Sequence, residues 1–95
     1  MRLHIAASVI VLIFGFWLHL ERAEWLFVIS AIFLVMTMEM LNTALERVVD
    51  LFTRQYHPLA RLAKNAAAGA ALLAAVYAVI VGLMIFLPKL LARFP

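Results

Sequence analysis

The chain is 95 residues long, 68% hydrophobic and 14% charged, with a formal net charge of +3. A soluble domain of that length has too little interior to hide so many Leu, Ile, Val, Ala and Phe side chains, so lipid must solvate most of them. The positive charges are spread thinly, with no basic run that would suit nucleic acid, and the absence of cysteine excludes disulfides, thiol nucleophiles and thiolate-held metals.

The first apolar run extends from Ile5 to Leu20, broken only by Ser8, Gly15 and His19. With Leu3 included it approaches the roughly 20 residues that a span requires, and its length also suits a signal peptide. A lone Arg2 ahead of it, no small-x-small pair before Glu21, and the interfacial character of Trp17 and His19 favour a retained helix. The second run starts at Trp25 and is apolar until it acquires Thr37, Glu39, Asn42 and Thr43, then passes into Glu46, Arg47 and Asp50. The third, Asn65 to Leu87, carries no charge and is ended by Pro88, Lys89 and the tail to Pro95. The chain therefore reads as one all-α transmembrane domain over residues 1–95, with spans near 4–20, 25–50 and 64–88.

Charge sets the orientation. Glu21, Arg22 and Glu24 leave the first connection slightly negative, whereas the second holds Arg47, Arg54, Arg61 and Lys64 against Asp50. The excess of Lys and Arg places that second connection in the cytoplasm, with the N-terminus inside and the C-terminus outside, against the weaker pull of Lys89 and Arg93.

Glu39, Asn42, Glu46 and Asp50 follow one another at intervals of three, four and four residues, which stacks them on one helix face with Thr43 and Thr53 close by. At 1.5 Å per residue this polar stripe runs about 16 Å, from apolar depth to the cytoplasmic surface. An ionised carboxylate in hydrocarbon costs a few kcal/mol, so Glu39 needs a compensating partner or a bound proton, and either suits a proton acceptor. A plainer reading exists for the lower end: Glu46, Arg47, Asp50 and Arg54 are the solvated tip of a helix, the arginines pairing locally. It does not extend to Glu39 and Asn42, which sit inside the apolar run and point to helix contacts or chemistry.

Lys64 stands at the mouth of the stripe, where a cation can neutralise carboxylates or grip a phosphate. The small residues after it, Ala66 to Ala71 with Ala74, Ala75 and Ala78, read as close packing against the second helix or a neighbouring subunit. His57 and Pro58 mark a turn, and His57 reads as structural rather than as a ligand.

The runs MEMLNTALERVVD from Met38 to Asp50 and YHPLARLAKNAAAGAALLAA from Tyr56 to Ala75 resemble the small bacterial integral-membrane lipid kinases, the diacylglycerol and undecaprenol kinases. The likeness covers nearly the whole chain, from MRLHIAA to LPKLL, and leans toward the undecaprenol branch in HPLARLAK. It implies a homotrimer of three-helix subunits in the bacterial inner membrane, with active sites at the cytoplasmic face. There the γ-phosphoryl of ATP passes, with Mg²⁺, to the hydroxyl of a membrane lipid. By the same resemblance Glu39 is the general base and Asn42 its polar neighbour. Glu46 is a carboxylate that binds the metal, and Asp50, Lys64 and Asn65 lie around the nucleotide. Phosphoryl transfer asks for a positioned hydroxyl, a base and cations on the transferred group, and Mg²⁺ takes oxygen ligands.

Two departures accompany the resemblance. The family carries an amphipathic surface helix ending in a second metal-binding glutamate ahead of the point where Met1 stands, and it has aspartate where this chain has Asn65. Both lower the negative charge around the nucleotide. They keep open an alternative, a catalytically impaired scaffold or partner subunit of the same fold. A proton-coupled transporter subunit using Glu39 as carrier is a third reading, to which the rim positions of Glu46, Asp50 and Lys64 are less suited.

Overall fold

The computed structural model describes residues 2–94; Met1 and Pro95 lie outside the described residues. It contains three helices, α1 (Arg2–Trp17), α2 (Arg22–Phe52) and α3 (Pro58–Arg93), folded as an antiparallel hairpin followed by a return. α2 and α3 are long and apolar enough to cross a membrane, while α1 is a shorter apolar helix of 16 residues. The molecule is a rod of 55 × 20 × 19 Å. Its length is that of α3, whose 36 residues rise about 54 Å.

Each connection is short because the residues at the helix ends satisfy the backbone. α1 closes with the paired bonds of a Schellman turn, His19 N–H to Phe16 O at 3.4 Å and Leu20 N–H to Gly15 O at 3.3 Å. The turn puts His19 at φ 56°, a left-handed conformation that costs a residue bearing a Cβ. His19 is exposed, so nothing packed is lost by removing its ring. His19→Gly is therefore expected to raise stability in detergent by roughly 0.5–1 kcal/mol, the relief of strain being offset in part by the freer unfolded chain; a thermal unfolding curve reads it. At the start of α2, the Glu24 carboxylate accepts from the Glu21 backbone N–H at 2.9 Å, closing the first turn.

The core is a seam between α2 and α3. In α3 the buried residues Ala71, Ala74, Val81 and Ile85, with half-buried Ala78 between, repeat at intervals of three and four. This is the period of a coiled-coil seam, and small residues let the two backbones approach. Val28 and Ala31 of α2 face them, and Leu18 and Leu20 cover the end. Of the small residues expected to pack, Ala71 and Ala74 do so against α2, whereas Ala66, Ala68 and Ala70 lie on the outer face. Large apolar side chains such as Phe33, Leu72, Leu73 and Met84 also point outward, as lipid or a neighbouring subunit would require.

A hydrogen bond between Ser30 and Tyr77 crosses the seam. The Ser30 hydroxyl donates to Phe27 O at 2.8 Å, so Tyr77 must be the donor in its 3.2 Å contact with Ser30 Oγ. α1 lies against α2 most closely at Gly15, where an added Cβ would stand 2.6 Å from Trp25 Cη2.

Pro88 does not end the third helix as its chemistry led us to expect. α3 runs through it to Arg93. Proline removes one backbone bond, but the helical φ is the one its ring prefers, and in an apolar phase unwinding the following residues would orphan many more groups. The extension is also anchored from outside: Lys89 Nζ lies 3.1 Å from Glu24, and the Arg93 guanidinium sits 4.4 Å from the centre of the Trp17 ring. Trp17 and the third helix's basic end thus share one cluster, away from the polar stripe.

Candidate functional site

α2 carries the stripe as one continuous helix, so its four members keep the face that their spacing sets. What they meet differs. Glu39 turns toward α1, where His4 Nε2 lies 3.8 Å from its Oε1; both side chains are about one-third exposed. Asn42, one turn on, is half-buried, and its Oδ1 is buried without a hydrogen-bond partner. Glu46 is exposed, and among the described residues no ion pair engages it. Asp50 turns toward α3 and accepts from Lys64 Nζ at 2.7 Å. Glu46, Arg47 and Arg54 are exposed, as the solvated-tip reading has them, while the ion pair of Asp50 runs across the hairpin to Lys64 rather than to either arginine.

The α2–α3 connection shapes the ground beside that pair. Thr53 leaves the helix in an extended conformation, and its hydroxyl oxygen accepts from the Gln55 N–H at 3.2 Å. His57 then caps α3: its Nδ1 accepts from the Leu59 N–H at 3.2 Å, with Pro58 in the first helical position. With Nδ1 accepting, the neutral ring carries its proton on Nε2 and its one lone pair is used for folding, in agreement with the structural reading of His57. His57→Ala is expected to cost about 1 kcal/mol and His57→Asn much less, as for other cap residues; chemical unfolding in detergent measures both.

This turn forms a polar recess lined by Arg54, Gln55, Tyr56, Arg61, Lys64 and Asn65 among others. Lys64 and Asn65, expected beside the nucleotide, are brought together there, Asn65 being exposed. Arg54 and Arg61 join them, a grouping that sequence reasoning missed because it read both as an orientation signal and Arg54 as a local partner of the stripe's acids. Three cations at one rim can hold a polyphosphate. His4 was missed too. It opens an apolar groove of about 190 Å³ between the helices, lined by residues such as Ser8, Val28, Val35 and Val81.

The donor chemistry for a divalent cation is narrow. Among the described residues no group of three or more His, Asp or Glu side chains gathers. Glu46 is the exposed and unpaired acid of the stripe. One carboxylate completed by substrate phosphates fits the manner in which Mg²⁺ is held, and does not fit a cage built by protein alone.

Comparison with known proteins bears on these residues. The profile of the family described as prokaryotic diacylglycerol kinase matches residues 1–86, which include the stripe, the turn and Lys64. An undecaprenol kinase of Bacillus subtilis is 51% identical over 87 residues, covering 92% of this chain and 71% of the relative. A diacylglycerol kinase of Synechocystis is 50% identical over 92 residues, 96% of this chain and 53% of the relative. A diacylglycerol kinase of Escherichia coli is 36% identical over 74 residues, 78% and 61% of the two chains. The chain thus spans between about half and seven-tenths of the length of these relatives.

Proposed function

The chain belongs to the prokaryotic diacylglycerol kinase family, whose named relatives are lipid kinases, and we propose that it transfers the γ-phosphoryl of ATP to the hydroxyl of a membrane lipid. The observation that carries this reading is the division of one helix face: a proton acceptor at apolar depth, Glu39, and an acid tied to Lys64 beside a basic recess at the far end of the same stripe.

In this mechanism the lipid lies in the membrane with its hydroxyl at Glu39. Glu39 takes the hydroxyl proton as the oxygen bonds to the γ-phosphorus and the bond to the β-phosphate oxygen breaks, leaving ADP and a phosphorylated lipid. Asn42, one turn away, has a buried amide oxygen without a partner; since the single hydroxyl proton goes to Glu39, its amide N–H is the group suited to steadying the alcohol, by donating to the oxygen lone pair that does not attack phosphorus. Lys64, Arg54 and Arg61 hold the nucleotide phosphates, and Asp50 keeps Lys64 oriented while the recess is empty. Asn65 serves as a neutral hydrogen-bonding neighbour of Lys64. Glu46 would hold Mg²⁺ together with those phosphates, and the ion would supply positive charge to the transferred group.

The same reading takes α1 as a third span, completing a three-span inner-membrane protein with its N-terminus and the α2–α3 turn in the cytoplasm and its C-terminus outside. The positive charge of that turn supports the orientation. A homotrimer would cover part of the outer apolar faces, including the small residues Ala66, Ala68 and Ala70. Identity does not separate the two lipids, since the Bacillus undecaprenol kinase and the Synechocystis diacylglycerol kinase match equally well, and the run HPLARLAK is what leans toward undecaprenol.

The test is Mg·ATP-dependent phosphorylation of undecaprenol and of diacylglycerol in mixed micelles, with mass and helicity of the purified protein measured alongside. Label in either lipid supports the reading. A folded protein that labels neither is instead the non-catalytic scaffold of this fold.

A further inference from the structure

We propose that His4 is a positioning residue for the Glu39 base, holding one carboxylate oxygen with its Nε2–H so that the other is free to take the substrate proton; this rests on the phosphoryl-transfer reading above. Among the described residues, His4 is the one partner within ion-pair distance of Glu39, at 3.8 Å. The ring's other nitrogen, Nδ1, is buried and has no hydrogen-bond partner.

Those two facts select the tautomer. A proton on Nδ1 would bury an unpaired N–H and aim the Nε2 lone pair at a carboxylate oxygen, so it suffers twice. A proton on Nε2 leaves only an unfilled lone pair and directs the N–H at Glu39. Ser8 does not interfere, since its hydroxyl donates to the His4 backbone carbonyl at 2.8 Å. The separation exceeds the range of a formed hydrogen bond by about 0.6 Å, and catalytic contacts are often long before substrate binds.

The consequence is specific to chemistry. Glu39 has a flexible side chain, and a carboxylate at apolar depth without a donor turns toward any water or cation available. A donor from α1 restricts it to one orientation. His4 also lines the apolar groove, so a lipid chain seated there would bring its alcohol head near the base. The nucleotide recess is at the other end of the stripe, so ATP binding is not affected by this contact.

His4→Ala is expected to lower kcat about tenfold with KM for Mg·ATP unchanged, and His4→Gln, whose amide N–H can reach the Nε2 position, to keep most of the rate. In a Glu39→Gln background, His4→Ala is expected to have no further effect. Equal rates for His4→Ala and the parent, or equal losses for His4→Ala and His4→Gln, would overturn the proposal. A second measurement does not depend on turnover: ¹⁵N NMR of histidine-labelled protein in micelles, with His4→Gln assigning the signal. The Nε2–H tautomer is expected, and its Nε2 resonance is expected to move in Glu39→Gln. A resonance that ignores Glu39→Gln sinks the His4 assignment even in a protein that labels no lipid, while a moving resonance in such a protein leaves the contact standing and removes the kinase reading alone.

Discussion

Glu39→Gln is expected to lower lipid phosphorylation by about 10²- to 10⁴-fold, the contribution of a positioned proton acceptor. The change is nearly isosteric and keeps an oxygen facing His4, so the fold and the affinity for Mg·ATP are expected to stay as they are. A loss confined to kcat, in protein with an unchanged unfolding curve, identifies proton removal as the missing step. A rise in KM for ATP with kcat intact would instead move Glu39 into nucleotide binding. The substitution is informative because the residue is otherwise disadvantageous: an acid within an apolar helix is retained at an energetic cost that packing does not repay.

The second large effect is expected at Lys64. Its ammonium is 2.7 Å from Asp50 with both side chains more than one-third exposed, so the pair itself adds little stability. Its value lies in what the cation does when phosphates arrive. Lys64→Met is expected to reduce transfer by about 10²- to 10³-fold, the scale of removing one preorganised group that stabilises developing charge. It should also raise KM for ATP, unlike Glu39→Gln. Lys64→Arg restores charge without the compact geometry and is expected to recover activity only in part. Steady-state kinetics at several ATP concentrations separate these outcomes. A Lys64→Met protein with parental kinetics but a lower unfolding midpoint would show the pair to be a strut.

Much of the architecture was readable along the chain because each helix writes its own face into its spacing. The long apolar runs gave α2 and α3, the His57–Pro58 pair gave the turn, and the three-four-four interval gave the stripe. Ends were less legible. Pro88 carries the chemistry of a terminator, yet the helix it interrupts is held beyond it by Glu24 and Trp17, partners more than sixty residues away in sequence. Periodicity describes one helix and says nothing of such partners.

The same limit governs the site. The stripe was visible as a unit, but its division between two neighbours was not: Glu39 faces α1 and Asp50 faces α3, and that depends on the register of both hairpins. His4 looked like a minor interruption near the start of an apolar run. A signal was nonetheless present. A tight turn between Trp17 and Arg22 sets Gly15 against Trp25, and continuing that antiparallel register brings the first turn of α1 to the level of Glu39. Arg54 and Arg61 were counted as charges and not placed, because the recess they line exists only once the turn is folded. The family resemblance named Glu39, Glu46 and Lys64, and the structure added the neighbours of Glu39 and Lys64.

The central claim is that this helix face moves phosphate onto lipid. It is tested most directly by following the γ-phosphoryl of radiolabelled ATP into undecaprenol in vesicles containing the purified protein and Mg²⁺, beside matched Glu39→Gln protein. Time-dependent labelling of the lipid by the parent and near-background labelling by the variant are expected. Equal labelling by the two, or none by a folded parent with either undecaprenol or diacylglycerol, contradicts it.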